Sequence, residues 1–304
     1  MERRSAIARF KEQLRLERNY SEHTVKAYLS DVEKFFRHLG EDHPERIGTE
    51  QIRGFIQELR EMGVSVPTQA RTLSSVKAFF RFLLQEELIG SDPSALIEMP
   101  RTERRSPDVL SPEEIKRVIE GIDLSAPLAY RNKAMIELLY GCGLRVSELT
   151  ELRISELHFD EGYVRIRGKG GKERLVPLGR TTQKAVREYL DQDRMQQKAV
   201  DRFEDVLFLN RKGKALSRVM IFNIVRRTAQ EAGIEKRVSP HTYRHSFATH
   251  LVEGGADLMA VREMLGHASV TTTEIYSHLD REYLQQELVH HHPRSERFRK
   301  KGGT

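Results

Sequence analysis

The chain has 304 residues, 32% of them charged and 38% apolar, with a formal net charge of +6. That length accommodates two domains with a core each, and no apolar run approaches the ~18–20 residues that a membrane-spanning helix requires. The N-terminal MERRSAIARF lacks an apolar signal core, and a single cysteine, Cys142, excludes an internal disulfide, so a reducing, cytoplasmic location is expected. The basic balance suits a polyanionic partner. However, residues 291–304 alone hold five Arg/Lys against one Glu, so any basic groove elsewhere depends on how the charges are arranged.

The first hundred residues read as helices. Val25, Tyr28, Leu29, Val32, Phe35 and Phe36 recur at three-and-four spacing across 21–39, with Ser21 as N-cap and Gly40 as stop. A second helix covers 49–63, between Thr49 and Gly63. A third covers about 68–89 and buries Leu73, Val76, Phe79, Phe80, Phe82 and Leu83. A short one follows in DPSALIEM, and no strand pattern appears, so this part is a small bundle of four to five helices. PRTERRSPDVL, from Pro100 to Leu110, breaks the pattern with prolines and arginines and reads as an exposed linker. Ser111-Pro112-Glu113-Glu114 then opens a helix as a capping box with proline in the first turn.

The remainder is mixed. Helices are expected near 112–122, 126–141 and 145–153, and YVRIR, a GKGGK turn and ERLVPL form a β-hairpin. Helices near 181–199 and 217–232 flank a short strand at DVLFL, and further helices fall near 240–254, 257–265, 269–277 and 280–290. The expected organisation is an N-terminal helical domain (1–99), a linker (100–110), a second domain (111–290) and a basic tail (291–304). The fold class is mainly α with a small β-hairpin or sheet, a helical bundle joined to a mixed α+β domain.

Several segments could carry chemistry. In SPHTYRHSFATHL, Ser239 caps a helix and Pro240 opens it, so His241 and Arg244 share a face of the first turn. The free N–H groups of that helix end, a titratable imidazole and a guanidinium make a phosphate site, although a surface helix with incidental His and Arg would look similar. In GCGLRVSEL, Arg145 follows a Gly-x-Gly turn that lets the backbone approach a ligand, and an ordinary loop arginine is the plainer alternative. Lys169 and Lys172 lie in the glycine-rich hairpin tip, where a lysine can reach a groove or simply be solvated. In MLGHASVTTTEIY, His267 follows Gly266 and Tyr276 lies nine residues on, in a position where a tyrosine is more often core. Cys142, between two glycines, reads as a small packed side chain.

Taken in order, Arg145, Lys169, His241, Arg244, His267 and Tyr276 resemble the pattern of the tyrosine recombinase (phage integrase) family. GLRVSEL, HTYRHSFATHL and MLGHASVTTTEIY are similar to the motifs of its Xer type nearly letter for letter. The likeness also covers NYSEHTVKAYLSDV and SVKAFFRFL in the bundle. HLDREYLQQELVHHHPR looks closer to the D branch of that type than to the C branch. The resemblance implies an N-terminal core-binding (SAM-like) DNA-binding domain and a tyrosine-recombinase catalytic domain that close around a duplex. Tyr276 would attack a backbone phosphate to give a 3′-phosphotyrosine and a free 5′-hydroxyl. Arg145 and Arg244 would clamp the non-bridging oxygens, His267 would add a hydrogen bond and His241 would assist as base. Lys169, or else Lys172, would protonate the leaving oxygen. Energy retained in the covalent link makes ATP unnecessary, and no G-x-x-x-x-G-K-[ST], H-E-x-x-H or paired-carboxylate motif is present, so no cofactor and no metal are expected.

The partners implied by the resemblance are a specific double-stranded DNA site, a related Xer recombinase in a tetramer on two sites, and a DNA translocase activator, in the resolution of chromosome dimers. The final helix near 280–290 would dock into a neighbouring subunit through Leu284 and Leu288, the alternative being that both pack on their own domain. Lys26, Arg71 and Lys77 are candidate DNA contacts in the bundle. Rival readings are a mobile-element or phage integrase, a type IB topoisomerase-like relaxase, and a DNA-binding protein without activity. A chain that starts almost directly at the bundle favours the housekeeping type over an integrase with an extra arm-binding domain.

Overall fold

Ser21 Oγ accepts a hydrogen bond from the Thr24 N–H (3.2 Å), and Gly40 closes the same helix in the left-handed region (φ 64°). Helix α2 (Glu22–Leu39) therefore begins and ends at the signals in its sequence. It belongs to a computed structural model that describes residues 2–18, 20–100, 108–168, 173–266 and 278–295. The chain divides into two compact units, Met1–Arg105 and Ser106–Thr304.

In the first unit α2 packs with α1 (Arg3–Leu16), α3 (Thr49–Glu61) and α4 (Val66–Gln85). Helix α1 was not foreseen, although Ala6, Phe10 and Leu14 recur every fourth residue and are all buried. The core is a cluster of phenylalanines in edge-to-face contact, with Phe79 lying 5.3 Å from Phe10 and 5.5 Å from Phe36. The short helix expected in DPSALIEM is absent, and the segment forms turns instead. The Asp92 carboxylate accepts the Ser94 N–H (2.8 Å) and hydroxyl (2.6 Å), a local bond that competes with helix formation.

The second unit starts before the expected boundary. Leu110, read as linker, is fully buried, and its N–H donates to Ser246 Oγ (2.9 Å). Helix α5 (Pro112–Glu120) carries the capping box: Ser111 Oγ accepts the Glu114 N–H (3.2 Å) and Glu114 accepts the Ser111 N–H (2.7 Å). Helix α6 (Ala129–Gly141) is buried on almost every face and forms the centre of the unit. After α7 (Val146–Glu151), strands β1 (Leu157–His158), β2 (Tyr163–Arg167) and β3 (Glu173–Pro177) form an antiparallel sheet in that order, with Val164 opposite Val176. The hairpin was expected, and the short β1 adds a third strand. The helix expected over 181–199 is α8 (Arg180–Tyr189) ending in a π-helical turn, Leu190–Arg194. DVLFL makes only isolated bridges, yet Leu207, Phe208 and Leu209 are fully buried, so an apolar run that read as a strand is a core-filling loop.

Helices α9 (Arg218–Glu231), α10 (Pro240–Glu253), α11 (Leu258–Leu265) and α12 (His278–His291) complete the described part, and the helix expected over 269–277 lies outside it. Leu284 and Leu288 of α12 are buried in the core of their own unit, as the alternative reading has it. The first residues of the expected basic tail are also core. The His292 ring lies 4.7 Å from that of Tyr140 and 5.5 Å from that of Phe247, and Arg294 pairs with the buried Glu137 of α6. Among the described residues no helix is long and apolar enough to cross a membrane.

Candidate active site

Helix α6 ends at Gly141 and the chain reverses through Gly143, whose φ of 58° and 2.5 Å clearance to the Phe247 ring leave no room for a Cβ. This tight passage delivers Arg145 to the mouth of α7 in extended conformation. Glu148, one turn on, accepts the Arg145 N–H (2.7 Å) and also its Nη1 (2.8 Å), so one carboxylate caps the helix and aims the guanidinium. Arg145 Nη2 also reaches the Gly266 carbonyl (3.4 Å). Cys142 in the same turn is fully buried, and desolvation raises its thiol far above the usual range, consistent with a packing role.

On α10, Ser239 Oγ accepts the Thr242 N–H (3.3 Å) and Pro240 occupies the first turn, so the helix starts as expected. His241 sits exposed in that first turn. Arg244, one turn deeper, is only 5% exposed. Its Nη1 donates to the Gly143 carbonyl (2.6 Å) and its Nη2 to the Leu265 carbonyl (2.5 Å), and it stands 4.0 Å from Glu148. Burial first, and then the neighbouring Arg145, draw its pKa down to about 10, which leaves it charged at neutral pH. Two glycine-containing turns, far apart in the chain, thus present carbonyl oxygens that hold Arg145 and Arg244 in one place.

Four expected residues, Lys169, Lys172, His267 and Tyr276, lie outside the described residues. Their flanks are described. Strands β2 and β3 bracket the lysines, and Gly266 ends α11 in the left-handed region (φ 67°) immediately before His267. Among the candidate DNA contacts of the first unit, Lys26 is exposed, Lys77 Nζ lies 3.4 Å from the Ala95 carbonyl, and Arg71 pairs with the buried Asp31.

Residues 108–282 match the phage integrase family, and residues 7–87 match the phage integrase N-terminal SAM-like domain. The chain is 42% identical over 295 residues to tyrosine recombinase XerD of Oceanobacillus iheyensis, covering 95% of this chain and 99% of that protein. It is 44% identical over 296 residues to XerD of Chlorobaculum tepidum, covering 96% and 97%. The chain belongs to the Xer family of tyrosine recombinases. A XerC of Anoxybacillus flavithermus is 38% identical over 94% of this chain and 97% of its own length. Among solved structures, XerH bound to palindromic difH substrate in a post-cleavage complex superposes with a TM-score of 0.69 at 25% identity, over 92% of this chain and 83% of that one.

As an Xer recombinase the protein binds a DNA recombination site, and it cuts and rejoins DNA there. The mainly helical fold with its small antiparallel sheet, a SAM-like domain followed by an integrase domain, is the one expected from the sequence. Sequence reasoning missed Glu148 and Arg174. Arg174 on β3 is buried, and its Nη1 and Nη2 hold both Glu148 oxygens (2.7 and 2.9 Å) while its Nε donates to the Met264 carbonyl (2.8 Å). A signal was available: in Glu173-Arg174-Leu175-Val176, alternation puts Arg174 on the same inward face as Val176.

Proposed function

We propose that this Xer recombinase cleaves one DNA strand with Tyr276 and keeps it as a 3′-phosphotyrosine until a new 5′-hydroxyl rejoins it. In this reading Arg145 and Arg244 bind the non-bridging oxygens of the scissile phosphate and stabilise the extra charge of the pentacovalent transition state more than the ground state. His267 adds a hydrogen bond there. His241 takes the phenolic proton, which has to leave a group of free pKa ~10. Lys169 on the hairpin tip gives a proton to the departing 5′ oxygen, with Lys172 as the other candidate.

The observation that carries this reading is the convergence of Arg145 and Arg244 on Glu148 and on the Gly143 and Leu265–Gly266 carbonyls. Two buried or half-buried guanidiniums held by fixed acceptors are already organised for a tetrahedral anion. The protein works in the cytoplasm on chromosomal DNA. It pairs with a related recombinase in a tetramer on two sites and resolves chromosome dimers, with a DNA translocase as activator. A λ integrase tetramer solved on a Holliday junction has this fold (TM-score 0.70, 19% identity).

The decisive experiment is covalent trapping on a nicked suicide substrate carrying a candidate chromosome-terminus site. The wild-type chain should yield a protein–DNA adduct and the Tyr276→Phe chain none. An equal yield from both would overturn the assignment. A plasmid with two sites then separates recombination, which gives deletions or inversions, from relaxation alone.

A further inference from the structure

Around Glu148 one carboxylate faces three guanidiniums. Arg174 holds it with two parallel bonds, Arg145 shares Oε1 at 2.8 Å, and Arg244 stands 4.0 Å from Oε2. The Arg174 side chain is only 7% exposed, and both of its Nη atoms are engaged by the Glu148 carboxylate. It is also fixed from outside the cluster. Its Nε is bonded to the Met264 carbonyl, and its Cδ, Nε and Nη1 lie 3.1–3.2 Å from where a Cβ on Gly266 would be. Burial opposes ionisation of Glu148, but its hydrogen bonds to Arg174 and then to Arg145 outweigh that, and its pKa is lowered.

The consequence is a matter of charge distribution. A carboxylate this close to two catalytic guanidiniums competes with the scissile phosphate for them. We infer that Arg174 is a positioning residue for strand cleavage: it engages the Glu148 carboxylate in a bidentate pair, so that Glu148 orients Arg145 while Arg145 and Arg244 retain their charge for the phosphate. Without Arg174, the nearest cations to the buried carboxylate are the two arginines that the reaction needs, and both are drawn inward. Arg174 also ties β3, which follows the lysine-bearing tip, to the end of α11, which precedes His267. This inference rests on the roles proposed above for Arg145 and Arg244.

The test is single-turnover cleavage of the suicide substrate at saturating DNA, with melting followed in parallel. Arg174→Met should lower the saturating rate by about a hundred-fold, while the DNA concentration giving half the maximal rate changes less than about two-fold. Removing the competing charge should restore activity, so Glu148→Gln/Arg174→Met should cleave at least about ten-fold faster than Arg174→Met. A double variant no faster than the single one, or an Arg174→Met chain cleaving at the wild-type rate, overturns the inference. If Arg174→Met melts below the assay temperature, the same question is read in the uncharged background. There, Glu148→Gln and Glu148→Gln/Arg174→Met should cleave within about two-fold of each other, and a ten-fold gap overturns the inference. A wild-type chain that forms no adduct sinks the reading of the site itself. A wild-type adduct together with a failed rescue sinks only the role of Arg174.

Discussion

The two units bury different kinds of side chain. In the first, the core is phenylalanine packed on phenylalanine, and among the described residues Asp31 is its one buried charged group. In the second, Arg131, Glu137, Glu148, Arg174, Arg194, Arg244, His250 and His292 are all buried. Burying a charge costs stability unless it is paired and hydrogen-bonded, and even then an apolar replacement of similar shape is often as stable. The first unit therefore reads as a scaffold shaped by apolar packing. The second accepts polar burial where a guanidinium has to be held at a fixed position. The contrast teaches that stability and chemistry are separable by residue type as well as by unit.

Breaking that separation should produce effects in a definite order. Arg244→Ala should lower the cleavage rate by about 10²–10³-fold, with DNA binding by the intact first unit changed far less, as gel shift and adduct formation on the same DNA would show. Phe79→Ala in the first unit should do the reverse. It should destabilise the unit by about 3–5 kcal/mol in denaturant unfolding and weaken DNA binding, while any chain that remains bound cleaves at the normal rate.

A smaller effect should appear with pH. Burial, then His250 and Arg294, depress the His292 pKa from 6.5 to about 3. A depressed folded-state value means that the unfolded chain takes up the proton first. Stability is therefore intact above pH 6.5 and is lost progressively as pH falls from there towards about 3. Between pH 7 and pH 5 this one group should remove about 2 kcal/mol. His292→Phe should show a correspondingly smaller fall in urea midpoint, and equal falls in both chains would refute the assignment. Smallest of all, Ser111→Ala should cost about 1 kcal/mol by removing the α5 cap, measured as a lower melting temperature with cleavage at permissive temperature unaltered.

The sequence disclosed these two kinds of burial unequally. Apolar periodicity located α2, α3 and α4 because their buried faces are regular, and caps such as Ser21, Ser111 and Ser239 marked helix starts because their chemistry is local. His241, Arg244 and Arg145 could be singled out because short motifs and glycine turns surround them. Glu148 and Arg174 could not, since their significance depends on a contact between α7 and β3, 26 residues apart, and local pattern does not encode such a pairing. The same holds for DVLFL, where hydrophobicity announced burial but not geometry, and for Leu110 and His292, which composition assigned to a linker and a tail although both are buried in the second unit.

The sealed position of Cys142 has a practical consequence. The sole thiol of the chain is fully enclosed, its Sγ lies 3.6 Å from the Pro177 carbonyl, and desolvation disfavours its thiolate. Maleimide and other thiol-directed dyes should pass it by in the folded protein. A fluorophore on a single cysteine introduced at the surface would then report from that position alone, in an otherwise native background.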